Sequence, residues 1–143
     1  MTNFNYNNPP LRVCIDRMEH NTAAGRVFSS RLTAPLVFHD LSSLALQMDM
    51  VFDRQNSPQA FQRPRTIFRG DEWPDLAAAE PSGGMSEETV RAQRGELATL
   101  EVLVISRRNS TWQGMIDWLD GQERQEFFSH LDLMRRIISH YTV

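Results

Sequence analysis

Six residues in the last third of the chain have the types and spacing for recognition chemistry: Arg107, Arg108, Asn109, Trp112, Gln113 and Trp118. Two guanidinium forks pair with phosphates and guanine edges, the carboxamides supply directional donors and acceptors, and the indoles offer flat faces on which bases stack. They lie on and beside Asn109-Ser110-Thr111-Trp112-Gln113-Gly114, a polar turn running into a tryptophan-bearing strand. The competing role is architectural. Trp112, Ile116 and Trp118 share one strand parity, the pattern of an apolar sheet face buried under a helix, so the indoles are either core or an exposed platform.

No other group of residues assembles a reaction. His20, His39, His130 and His140 are scattered, and the last two would stand about 280° apart around one helix axis, too far to share a metal shell. Ser29, Ser30 and Ser129 lack a nucleophile-elbow context, and no glycine-rich loop has P-loop or Rossmann spacing. Cys14 sits in Val13-Cys14-Ile15, where a small buried hydrophobe is its ordinary role. The chain therefore reads as a non-enzyme with no catalytic residue, metal or cofactor. Arg65-Thr66-Ile67-Phe68-Arg69 together with Asn109 to Gly114 is similar to the Arg-x-x-x-Arg and Asn-x-Ser-x-x-Gly pair with which PilZ domains hold cyclic di-GMP. Thr111 replaces the serine, and the separation is long and interrupted by Pro and Gly. That resemblance implies a cyclic dinucleotide at the turn.

Composition bounds the partners. At 143 residues and 41% hydrophobic, the chain suits one globular domain or two small halves sharing a core. A formal charge of -3 supplies no general basic field for a phosphate backbone, so DNA is not expected and RNA would need a local arginine patch. One cysteine allows no internal disulfide and fits a reducing compartment. The beginning lacks a basic region followed by an apolar one, and no run of 18 apolar residues occurs, so the expectation is a cytoplasmic protein without membrane contact.

The elements that must position these residues follow from periodicity. Residues 1–10 are polar, Asn-rich and end in Pro9-Pro10, a flexible arm. Leu11, Val13 and Ile15 alternate with Arg12 and Asp16 as a strand with one buried face, Gly25–Arg31 returns as its partner, and Leu36–Phe38 is a short third strand behind Pro35. Asp40 caps a helix over 41–53 whose stripe is Leu41, Leu44, Ala45, Met48, Val51 and Phe52. Leu46 and Met50 lie on its other side, which marks them as a candidate interface. Residues 54–96 form a Pro- and Gly-rich linker, partly docked through Phe61, Ile67, Phe68 and Trp73, with a short helix from Ser86 to about Arg94 ended by Gly95. Thr99–Ser106, apolar at both parities, is predicted as a central strand covered on both faces. Trp112–Leu119 returns beside it, Asp120-Gly121 turns, Glu123–Phe128 is a third strand, and Ser129 caps a helix over 130–141.

The two halves carry the same order and superpose without a gap at an offset of 89 residues: Leu11 on Leu100, Val13 on Val102, Thr22 on Thr111, Gly25 on Gly114, Phe38 on Phe127, Asp40 on Ser129, Met48 on Ile137. Capping residue, turn glycine and both periodicities agree at this offset, which predicts an α+β protein of two pseudo-symmetric βββα units, 11–53 and 97–143, sharing a core. Arg94-Gly95-Glu96-Leu97-Ala98-Thr99 with Arg107 to Leu119 resembles small uncharacterised proteins of anaerobic gut bacteria that carry an Asn-x-Ser/Thr-Trp-Gln-Gly hairpin before a short helix. Gly25 to Leu32 and Met48 to Asp53 with Pro58-Gln59-Ala60-Phe61 look like a second block of such proteins. The resemblance implies the boundaries and a cytoplasmic location, and no functional residues. The functional expectation is a non-enzymatic protein-interaction or regulatory module whose partner is another protein or a second copy. The alternative is nucleotide or RNA binding through Arg107–Gly114.

Overall fold

A computed structural model describes residues 9–55 and 83–141. Their elements are β1 (Leu11–Glu19), β2 (Thr22–Phe28), β3 (Leu36–Phe38), α1 (Leu41–Gln55), α2 (Glu87–Arg91), β4 (Ala98–Ser106), β5 (Gln113–Asp117), β6 (Gln125–Phe127) and α3 (His130–Tyr141). The fold is α+β: the strands form one open antiparallel sheet in the order β3-β2-β1-β4-β5-β6. Most of the arm, and the linker residues Phe61, Arg65 to Arg69 and Trp73, lie outside the described residues.

Local chemistry sets each connection. His20 and Asn21 adopt φ of 50° and 60° between the paired residues Glu19 and Thr22, a two-residue turn whose twist matches that of its strands. Between β4 and β5, Arg108–Ser110 makes one 3₁₀ turn in which Asn109 and Ser110 take φ of 55° and 59°. Irregular pairing falls between Ile15 and Arg17 on β1 and between Val104 and Ser106 on β4. Gly25 and Gly114 sit so close to the neighbouring strand that a Cβ would lie 1.9 Å from the carbonyl oxygens of Cys14 and Leu103 respectively. Asp40 Oδ1 accepts from Ser43 N and Ser129 Oγ accepts from Asp132 N, so each long helix starts on a side-chain cap. Thr22 Oγ1 and Thr111 Oγ1 accept from the first helical amides, Leu41 N and His130 N, tying each hairpin to the helix that follows.

The core lies between one sheet face and the two long helices. Leu11, Val13, Ile15, Val27, Phe38, Leu100, Val102, Val104, Ile116 and Phe127 meet Leu44, Met48, Val51 and Phe52 of α1 and Leu133 and Ile137 of α3. At the centre of the sheet Arg12 faces Glu101 across the β1–β4 pair, with Nη1 3.0 Å from Oε2.

Several boundaries and roles differ from expectation. α1 continues to Gln55 rather than ending at residue 53. β5 stops at Asp117, whose Oδ1 accepts from Leu119 N and starts the turn two residues early. Two-sided burial falls on β1, not β4. Residues 84–97 cross the second sheet face as a strap: Met85 and Val90 pack on Cys14 and Phe28, Arg12 Nε donates to Gln93 O, Arg26 Nη2 donates to Arg94 O, and Leu97 N donates to Ile15 O. Among the described residues no such cover reaches Ile105 of β4, which is 54% exposed. Gly95 does not end the short helix, which stops at Arg91; it is small because a Cβ there would lie 2.5 Å from Ile15 N and Ile15 O. Among the described residues no helix is long and apolar enough to cross a membrane.

Candidate functional site

An open cleft of about 240 Å³ lies between α1 and α3, beside the β4–β5 turn. α1 contributes Ser42, Ala45, Leu46 and Asp49, the turn contributes Ser110 and Trp112, and α3 contributes His130 and Met134. Leu46 stands at this cleft 65% exposed, the more exposed of the two residues expected at an interface; Met50 is half-buried and does not line the cleft.

Beneath the cleft lies an ion-paired cluster. The Arg107 side chain is 4% exposed and its Nη1 reaches Asp53 Oδ1 at 2.7 Å and Asp49 Oδ1 at 3.3 Å. Trp112 Nε1 donates to the same Asp49 oxygen at 3.1 Å, and its ring meets the edge of Phe52 at 5.3 Å. Asp49 and Asp53 are one helical turn apart, so a single guanidinium spans both and offsets their mutual repulsion. Arg31 and Arg107 both lie against the Phe52 ring, at 5.0 and 5.7 Å. Burial, with Arg107 nearby, brings the Arg31 pKa down to about 10, so it remains a cation at neutral pH. This is a fixed electrostatic frame with Asp49 at its open end.

The turn itself is pinned by Gln113. Its Oε1 accepts from Ser106 Oγ and Arg108 N at 2.8 Å each, and its Nε2 donates to Arg108 O. Thr111 Oγ1 lies 2.6 Å from His130 Nδ1 and accepts from His130 N, so one hydroxyl binds both the ring and the backbone of the residue that opens α3. Of the six residues singled out by type, Arg107 and Trp112 therefore share the Asp49 carboxylate, Trp112 lining the cleft and Arg107 buried beneath it; Gln113 holds the turn, and Arg108 and Asn109 lie exposed on it. Trp118 is elsewhere and 1% exposed, and Trp112 is 3% exposed, so neither indole is a stacking platform. Burial under the helices explains this: both side chains share the parity of Ile116, which faces the core. Asp49, Asp53, His130 and Ser42 were missed because isolated polar residues on amphipathic helices look like solvated faces, and Ala45 and Met134 because their spacing places them on the apolar stripes. The available signal was the pairing of acids at 49 and 53 with an arginine just after an apolar strand.

Trp118 belongs to a second aromatic cluster at the far end of α3. His140 stacks on its ring with centroids 3.8 Å apart and planes 1° apart, and His140 Nε2 lies 2.7 Å from Asp120 Oδ2. The hydrogen bond from His140 holds the Asp120 carboxyl below its ordinary range. Trp118 Nε1 and Tyr141 Oη are buried and find no hydrogen-bond partner among the described residues. Burial pushes the Tyr141 phenol up to about 12 from its ordinary 10. A group whose folded pKa is raised contributes stability that is complete below its unfolded value and is lost as pH climbs through the folded one. Tyr141→Phe is accordingly expected to leave stability at pH 7 unchanged or up to about 1 kcal/mol higher, since it deletes a desolvated hydroxyl. It should also flatten the loss of stability between pH 10 and 12 relative to the parent chain. Urea titrations at stepped pH check both, with the parent as reference because burial raises the Cys14 thiol pKa as well.

Comparison of the chain with protein-family models, curated protein sequences and solved structures finds no match.

Proposed function

We propose that the chain is a non-enzymatic protein-interaction or regulatory module of two pseudo-symmetric βββα units, and that a partner enters through the α1/α3 cleft. The duplication is supported by strand pairings that recur at the offset between the two halves. Gly25 opposes Phe38 as Gly114 opposes Phe127, Val13 opposes Val27 as Val102 opposes Ile116, and the irregularity on β1 matches that on β4. The positive-φ residues His20 and Asn21 recur as Asn109 and Ser110, and the threonine brace of each helix recurs as Thr22 and Thr111. On this reading the shared positions are scaffold, and the residues that break the pattern carry the function. Arg107, Trp112, Asp49 and Asp53 correspond in sequence to Met18, Ala23, Ile138 and Thr142, so the buried cluster has been built on one side only.

The carrying observation is the cleft over that cluster, with exposed Leu46 at its wall and a Trp112 floor fixed by Asp49. An apolar side chain of a partner would remove Leu46, Ala45 and Met134 from water while Asp49 and His130 meet its polar neighbours, the usual composition of an interface anchor pocket. Panning a random peptide library on the immobilised chain tests this. The expected yield is peptides with a shared large apolar residue, whose affinity falls about tenfold, or about 1.4 kcal/mol, in Leu46→Glu and in Ala45→Phe, which fills the cleft. Leu46→Glu should change folding stability by less than about 0.5 kcal/mol, because the side chain is exposed. Peptides indifferent to both substitutions, or no enriched peptide, would sink the proposal.

A further inference from the structure

The strands of the two halves meet along one seam, the antiparallel pairing of β1 with β4. Arg12 and Glu101 face each other there and are 89 residues apart, the same offset that relates the two halves. Leu11 pairs with Val102 and Val13 with Leu100, so at that offset each of these pairs becomes the other. The sheet reads β3-β2-β1 from one edge and β6-β5-β4 from the other. On the duplication proposed above, a local two-fold axis passes between Arg12 and Glu101. Of the five pairs in the seam, only this one joins a residue to its own counterpart.

A two-fold axis makes a surface self-complementary, so what fits the second unit fits another first unit as well unless something on the axis tells them apart. Charge does so here. Arg12 Nη1 meets Glu101 Oε2 at 3.0 Å, with side chains 6% and 22% exposed. Two first units would set guanidinium against guanidinium, and two second units carboxylate against carboxylate. The pairing also extends on one side only, through Cys14 with Thr99 to Ile15 with Ala98. The counterparts on the other side are Pro10 and Pro9, which have no N–H to offer Leu103 and Val104. Nothing in the seam tells the second unit of the same chain from that of another copy. The strap runs directly into β4, with Leu97 N on Ile15 O, so strap and second unit can transfer together and keep their contacts with β1 and β2. We propose that the seam is an association surface for a second copy of this chain: a first unit accepts the second unit of either copy, and Arg12 and Glu101 select that combination. The proposal rests on the duplication and not on the α1/α3 cleft, so a failed peptide panning leaves it standing.

Full-length Arg12→Glu and Glu101→Arg chains are unfolded in urea and refolded, each alone and as an equimolar mixture, and read by native mass spectrometry. Within either variant every seam joins like charges. The mixture is expected to give a dimer holding one copy of each, in which both seams join unlike charges, in severalfold excess over either homodimer. Its urea midpoint should exceed that of either variant alone. The Arg12→Glu/Glu101→Arg double variant restores opposite charges within one chain, so its rescue needs no folded single variant. It is expected to have a midpoint above that of Arg12→Glu but below the parent, because the bond from Arg12 Nε to Gln93 O is gone. A mixture without the mixed dimer, or homodimers as abundant as it, overturns the proposal. So does a double variant no more stable than Arg12→Glu.

Discussion

Arg107→Ala is expected to lower stability by about 2–3 kcal/mol, seen as a fall in the urea midpoint at unchanged slope. Breaking a buried ion pair from one side costs about 3–5 kcal/mol when both partners are sealed from water. Here the guanidinium is sealed but the Asp49 and Asp53 side chains are 38% and 20% exposed, so water takes back part of the loss. What remains is two carboxylates one helical turn apart with their shared cation gone, and Phe52 stripped of a guanidinium on one face. Arg107→Lys keeps the charge but not the span between the carboxylates, and should recover about half of the deficit. Asp53→Asn in the Arg107→Ala background should cost less than it does alone, because the two residues share one interaction. Additive effects would mean that the 2.7 Å contact contributes nothing beyond packing. The same substitution frees the Asp49 carboxylate beneath Leu46, so peptides selected for the cleft should also bind more weakly.

The strands and the two long helices were legible because their burial obeys simple periods. Leu11, Val13 and Ile15 alternate as one face of a strand, and Leu44, Met48, Val51 and Phe52 recur at helical spacing; each set ends in the core. What escaped was the strap. Its hold on the sheet runs through its backbone, the carbonyls of Gln93 and Arg94 accepting from Arg12 and Arg26 and the amides of Glu96 and Leu97 donating to Asp16 and Ile15, and main-chain groups leave no mark on side-chain pattern. Its apolar contribution is only Met85 and Val90 in an otherwise polar run. The same omission reversed the assignment of the doubly covered strand, since Leu103 and Ile105 made β4 look sealed while Arg12 and Cys14 disguised β1.

The candidate site was legible in part and for mixed reasons. Leu46 was recognised from its place off the main stripe of α1, and exposure at the cleft agrees with that geometry. Trp112 and Gln113 were recognised by residue type, but their chemistry points inward: the indole N–H is held by Asp49 and the carboxamide by the turn backbone. A single strand cannot reveal which carboxylate its tryptophan meets, because Asp49 is 63 residues away in sequence. Long-range pairing of that kind is set by the way α1 returns over the sheet.

Gly114→Ala and Gly25→Ala should each destabilise by about 3 kcal/mol or more, through one mechanism at two places. Elsewhere in a strand, exchanging glycine for alanine stabilises by about 0.4–1 kcal/mol by narrowing the unfolded ensemble. Contact geometry reverses the sign here. The added carbon would lie 1.9 Å from Leu103 O in one case and 1.9 Å from Cys14 O in the other, and both atoms are backbone. Relief requires β4 and β5, or β1 and β2, to separate, which stretches the ladder where Val104 pairs with Gly114 or Ile15 with Gly25. At Gly114 the Phe127 ring, 3.0 Å from the new carbon, removes the remaining room. Gly121→Ala is the control: no atom lies within 4 Å, but φ of 88° makes any loss one of backbone strain alone, about 1–2 kcal/mol. Thermal and urea unfolding of the three variants separates the mechanisms. A Gly114→Ala chain as stable as its parent would refute the close approach of β4 and β5 from which the turn, the Arg107 cluster and the cleft take their positions.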